Sequence, residues 1–224
     1  MTDKAQWTTA LDGEVDFWRR VVSEKGWRWP EDFHRRLDPN LPLEETVAEF
    51  LPPAQEQVHI LDVGAGPLTR LGKKCPGRVL RITAVDALAA HYDRILADHA
   101  ITPLVRTIPG DATKLLDQFG PDRFDLVYCR NAMDHGYDPL AGIQNSLAVL
   151  KKGRWLTLFH FTNEGVYQQY EGLHQWNFDV QNDRFVIWNP KHRIDAAEAL
   201  GKTAADIRCQ MLNQRLLRVA IRKN

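Results

Sequence analysis

The chain has 224 residues, of which 44% are apolar and 26% charged, and Lys plus Arg equals Asp plus Glu at 29 each. That length suits one α/β domain with a substantial core. A formal net charge of zero excludes the broad basic footprint of a duplex nucleic-acid or anionic-membrane binder, although Arg35–Arg36 could form a local patch. Three widely spaced cysteines, Cys75, Cys129 and Cys209, suggest neither a disulfide framework nor a metal pair and point to a reducing cytosol. The first 18 residues lack the basic start and apolar stretch of a signal peptide, and no apolar run is long enough to span a bilayer, so a cytoplasmic protein without membrane attachment is expected.

Residues 8–22 read as a helix, with Leu11, Val15, Trp18 and Val22 forming one apolar stripe and Gly26 just beyond its end. Prolines at 30, 39 and 42 make the next stretch a winding connection with room for a short helix. "LEETVAEFL" reads as another short helix, ended by Pro52–Pro53. From residue 58 strands and helices alternate. "VHILDVG", "RITAVDA", the weaker "LVRTIPGDA", "RFDLVYC" and "RWLTLFHF" read as strands. "ALAAHYDRILADHA" and "DPLAGIQNSLAVL" read as helices, the second with Asp138 as N-cap and Pro139 at its first position. This alternation implies a parallel sheet with helices on both faces. Between residues 162 and 190, "WNFDV" and "RFVIWN" flank Gln181–Asn182–Asp183 and read as an inserted β-hairpin lid. A helix over "RIDAAEALG" precedes "DIRCQML" and "RLLRVAIRK", an antiparallel hairpin.

The functional signal is "HILDVGAGPL". Glycines after a strand let a ligand approach the backbone, and a helix starting behind them would offer free N–H groups and a positive dipole end. Asp86 ends the following strand, where a carboxylate can accept hydrogen bonds from a ribose diol. Two adenosine cofactors fit, a dinucleotide and S-adenosylmethionine. Thr69 stands where the dinucleotide fingerprint has its third glycine, and Asp62 suits an ammonium better than a pyrophosphate.

At these residues the chain resembles the class I S-adenosylmethionine-dependent methyltransferases, over 58–222. "LDVGAGP" is similar to the family's glycine motif, "AVDA" to its ribose motif through Asp86, and "GDAT" to the loop whose acidic residue, Asp111, reaches the adenine amino group with Ala112 beside it. "FDLVYCRNAMDHGYDP" is similar to its fourth strand and the loop after it, and Gly153–Arg154 stands for the glycine pair before the fifth. The resemblance implies a Rossmann-like, seven-stranded, mostly parallel sheet with an antiparallel C-terminal hairpin. It would be one domain over 56–224, carrying a helical cap over 1–55 and the insertion. It implies a cofactor site of Asp62, Gly64, Ala65, Gly66, Asp86, Ala87, Asp111, Ala112, Arg130 and Asn131.

For catalysis, a hydroxyl acceptor needs a base, and the resemblance puts His135 near the cofactor, as a base or as a residue that only packs there. Asp134 either orients His135 or is a solvated turn residue. No metal is expected, because strand four ends in Cys129 and Arg130 instead of an acidic cluster. The insertion offers Glu164, Tyr167, His174 and Trp176 for the acceptor, a polar mixture that suits a small molecule or a saccharide. Trp18, Trp27 and Trp29 read as packing for the cap, and Arg35 or Arg36 as either a solvated residue or a partner for the methionine carboxylate. The reading is an S-adenosylmethionine-dependent O-methyltransferase. Its rivals are an N-methyltransferase acting on an amine or protein side chain, a nicotinamide-dependent oxidoreductase, and a cofactor-binding protein without turnover.

Overall fold

The computed structural model describes residues 4–224. Three helices come first: α1 (Lys4–Ser23), α2 (Pro30–Leu37) and the single-turn α3 (Glu45–Ala48). Then follow β1 (Gln57–Val63), β2 (Val79–Asp86), α4 (Ala89–Asp98), β3 (Thr107–Pro109), α5 (Leu115–Phe119), β4 (Phe124–Arg130), α6 (Pro139–Val149) and β5 (Leu150–Phe161). After α7 (Glu164–Tyr167) come β6 (Asn177–Gln181), β7 (Arg184–Asn189), β8 (His192–Asp195), α8 (Ala196–Leu200), β9 (Ala204–Met211) and β10 (Leu216–Lys223).

The main sheet has seven strands in the order β3-β2-β1-β4-β5-β10-β9, and β10 runs antiparallel to both its neighbours. Its strands read as near-continuous apolar runs because both faces are covered. Leu61, Val63, Val127, Leu156 and Leu158 face Ile143 and Leu147 of α6 on one side. Val58, Ile60, Leu126, Tyr128 and Phe159 face Leu43, Val47, Phe50 and Leu51 on the other. Helix α6 starts as its sequence requires, with the Asp138 carboxylate accepting from the Ala141 N–H at 3.0 Å and Pro139 next to it.

Three expectations are corrected. First, no helix lies between β1 and β2. Pro67, Gly72 and Pro76 interrupt this stretch, and residues 41–43 cross it instead. Lys73 and Lys74 donate backbone hydrogen bonds to the Leu41 carbonyl at 2.7 and 3.0 Å, and a Cβ on Gly72 would lie 2.1 Å from the Pro42 oxygen. Second, the start of "RIDAAEALG" is strand β8, paired with β7 through Ile187 and Ile194; the helix begins only at Ala196, capped by Asp195. Third, β5 begins at Leu150, before Gly153, whose φ of +70° lies where the pairing with β4 shifts register.

The inserted hairpin forms, turned by Asn182 and Asp183 at φ of +51° and +60°, and β8 makes it a three-stranded antiparallel sheet. Trp176, Phe178, Phe185 and Ile187 belong to the same core as Leu217, Val219 and Ile221 of β10.

Candidate functional site

A cavity of about 840 Å³ lies past the carboxyl ends of β1, β2 and β4, where ligands bind in open α/β sheets. All ten residues expected to hold the cofactor line it: Asp62, Gly64, Ala65, Gly66, Asp86, Ala87, Asp111, Ala112, Arg130 and Asn131. His135, Glu164 and His174 line it too. Two expected acceptor residues lie elsewhere. Trp176 is 1% exposed within the core, because its ring packs with the small sheet, and Tyr167 is 61% exposed with the Arg215 guanidinium 3.6 Å from its ring centre. The hairpin strands do not line the cavity; the chain from Phe161 to His174 does.

The glycine loop is held by its own protein. Gly64 and Gly66 have φ of +70° and +65°. A Cβ on Gly64 would lie 2.2 Å from that of Ala132, and one on Gly66 would lie 2.8 Å from the Trp18 ring. Both positions therefore need glycine before any ligand is considered. The N–H groups of Gly64 and Ala65 donate to the Val85 carbonyl at 2.8 and 3.2 Å, and that of Gly66 donates to Asp86 Oδ2 at 3.1 Å. They are committed to the fold, and no helix behind them adds a dipole.

Asp86 also accepts from the Leu88 N–H at 2.9 Å, and burial raises its pKa to about 6. Burial likewise raises Asp62 to about 6, although the Thr69 hydroxyl donates to it. Asp111 is pulled below the ordinary carboxylate range, because bonds from the Thr113 N–H and hydroxyl, with Tyr137, outweigh its burial. The Tyr137 hydroxyl donates to Asp111 at 2.8 Å, and the Asn131 side-chain oxygen is buried without a partner among the described residues.

Helix α1 roofs the cavity. Trp7 Nε1–H donates to the His135 carbonyl at 2.8 Å, and Trp18 lies on Gly66. The aromatic spacing of α1 marked a packing face, but not that this face would close on the glycine loop. Arg36 is neither solvated nor free. It donates to Asp32 at 2.7 Å and to the Leu68 carbonyl at 2.8 Å.

Asp134 is 1% exposed, which corrects the solvated-turn alternative. It bonds to His160 Nδ1 at 2.8 Å and stands 4.0 Å from His135 Nε2. His174 packs edge-on against His135 at 4.5 Å. Burial alone would raise the Asp134 pKa, but His135 and His160 hold it well below the ordinary range. Burial and His135 together push His174 down. His160 and Tyr137 carried no motif of their own, so nothing in the sequence marked them. No group of three or more His, Cys, Asp or Glu among the described residues is placed to hold a metal. No helix among them is long and apolar enough to cross a membrane.

The family model of the methyltransferase domain matches residues 61–158. No curated protein matches the chain. Among solved structures, the CurJ carbon methyltransferase is similar at 14% identity and a TM-score of 0.54, over 79% of this chain, which spans about half (51%) of that one. An S-adenosylmethionine-dependent methyltransferase from Methanosarcina mazei is similar at 19% identity and a TM-score of 0.50, over 82% of this chain and 99% of that one. Another, from Aquifex aeolicus, is similar at 14% identity and a TM-score of 0.50, over 85% and 92%. At these identities the structures establish the fold. The methyltransferase-domain match lies over the glycine loop, Asp86 and strand four, and the fold is that of the class I, S-adenosylmethionine-dependent methyltransferases.

Proposed function

We propose that the protein methylates an oxygen atom of a small molecule or saccharide bound under α1. The observation that carries this reading is the roof itself. Trp7 and Trp18 tie α1 to opposite parts of the cleft, His135 and Gly66, so the acceptor must share with the cofactor a cavity of about 840 Å³. That is the size class of small-ligand sites, and it disfavours a folded macromolecule.

The cleft residues fit the cofactor. In this reading Asp86 accepts from the ribose diol, Asp111 and the Ala112 backbone meet the adenine, and Gly64–Gly66 and Ala87 form the wall. The unpartnered Asn131 oxygen, with Asp62, receives the ammonium. When bound, the cofactor supplies a methyl group on a sulfonium. The chain supplies positioning and a route for the acceptor's proton. His135 is the proposed base, held between Asp134 and His174, and the buried ionised Asp134 stabilises the imidazolium it becomes on taking the proton. Glu164, 7% exposed and paired with Arg215 at 3.1 Å, lines the cavity as an acceptor contact.

The test is to incubate the protein with isotopically labelled S-adenosylmethionine and pools of hydroxylated small molecules and saccharides, following label transfer. A hydroxyl product lost in His135→Ala, with S-adenosylhomocysteine affinity unchanged, is the expected result. Transfer to amines that His135→Ala leaves intact would replace this reading by N-methylation.

A further inference from the structure

The glycine loop lacks two usual means of holding an anion. Its first three N–H groups are bonded within the protein, and the chain beyond it is not helical. Cationic side chains stand in that space instead. Arg70 follows the loop and Arg130 ends β4, and both line the cavity with half-buried side chains. Their nearest carboxylates are Asp32, 3.5 Å from Arg70, and Glu44, 4.0 Å from Arg70 and 3.8 Å from Arg130. Among the described residues neither guanidinium donates a hydrogen bond, whereas the neighbouring Arg36 is fully engaged by Asp32 and the Leu68 carbonyl. Two planar forks therefore face the cleft with their donors unused, and such forks match the two oxygens of a carboxylate. Burial and the charge of Arg130 lower the Arg70 pKa although Asp32 and Glu44 oppose them, so an anion between the two guanidiniums would offset a repulsion that those carboxylates only partly compensate.

We propose that Arg70 and Arg130 form a carboxylate clamp that replaces the absent helix N-terminus. This rests on the methyltransferase reading of the cleft. The carboxylate belongs either to the amino-acid end of the cofactor or to an acidic acceptor. Asp32 and Glu44 hold the guanidiniums in place at distances too long to saturate them.

Calorimetric titration of wild type, Arg70→Gln and Arg130→Gln tests this with three probes. They are S-adenosylhomocysteine, 5′-methylthioadenosine, which has the nucleoside but no amino-acid carboxylate, and 4-hydroxybenzoate against 4-hydroxybenzamide in protein saturated with S-adenosylhomocysteine. Two outcomes support the clamp. Tenfold or greater weakening of S-adenosylhomocysteine, with 5′-methylthioadenosine changed less than twofold, assigns it to the cofactor. Unchanged S-adenosylhomocysteine with loss of a wild-type preference for the benzoate assigns it to the acceptor. Equal weakening of both nucleosides would make the arginines merely structural and overturn the clamp. So would variants that match wild type with every probe. If a glutamine variant melts early, Arg130→Lys keeps the charge without the fork and should still weaken the carboxylate probe alone. Failure of wild type to bind either nucleoside would instead refute the cofactor reading.

Discussion

Replacing Gly64 by alanine should damage this protein for a reason internal to its fold. The residue sits at φ +70°, where an L side chain costs about 1–2 kcal/mol. Its new methyl would lie 2.2 Å from the Ala132 Cβ. Carbon atoms rest at about 3.5–4.0 Å, so the loops after β1 and β4 must part by more than an ångström, an overpacking cost of about 1–3 kcal/mol. The total of about 2–5 kcal/mol corresponds to a fall in Tm of about 4–20 °C for a chain of this size. Gly77 is the control. It has nearly the same φ, +69°, but nothing within 4 Å of the position its Cβ would take, so Gly77→Ala should show the backbone cost alone. Differential scanning calorimetry of the two variants, and of Gly64→Ala combined with Ala132→Gly, separates the terms. Equal Tm losses in both single variants, with no recovery in the double, would refute the contact argument. S-adenosylhomocysteine affinity should follow the same order, because the displaced loop carries Asn131 and leads to His135.

Further outcomes follow from the charges. Asp86, raised to about 6 by burial, must release its proton to accept from a ribose diol, so S-adenosylhomocysteine affinity should fall as pH drops through about 6. Asp62 titrates in the same range, so the test is the difference between wild type and Asp86→Asn; identical pH profiles would remove Asp86 from the ribose contact. Asp134 has the opposite sign: its folded pKa is depressed, so its stabilisation is present above its unfolded value of about 4 and is lost as pH falls below it. Asp134→Ala should cost about 1–3 kcal/mol at pH 7, the cost of leaving the buried His160 Nδ1 without its hydrogen-bond partner. A Tm gap to wild type that stays constant into acid would contradict that. Trp18→Ala should open the roof and speed S-adenosylhomocysteine release in stopped-flow measurements, and an unchanged off-rate would mean that α1 does not gate the cleft.

The sequence by itself determined the alternating frame. Local signals sufficed because strand runs such as "FDLVYCR", the Asp138–Pro139 cap and the Asn182–Asp183 turn each encode their conformation in adjacent residues. The order of the motifs likewise placed ten residues that line one cavity, since in a parallel sheet every strand delivers its carboxyl end to the same side. What only the tertiary structure decided depends on contacts between distant segments. Residues 41–43 take the hydrogen bonds of 73–74, so the stretch after the glycine loop does not form a helix, though its sequence context invited one. The packing that turns Trp18 onto Gly66 joins α1 to a loop nearly fifty residues away, and no periodicity within α1 specifies that partner. Asp134 looked like a turn residue until His160 arrived from β5 to bond it. Arg130 was expected at the cofactor, but nothing marked Arg70 as its partner until the fold faced the two across one cleft.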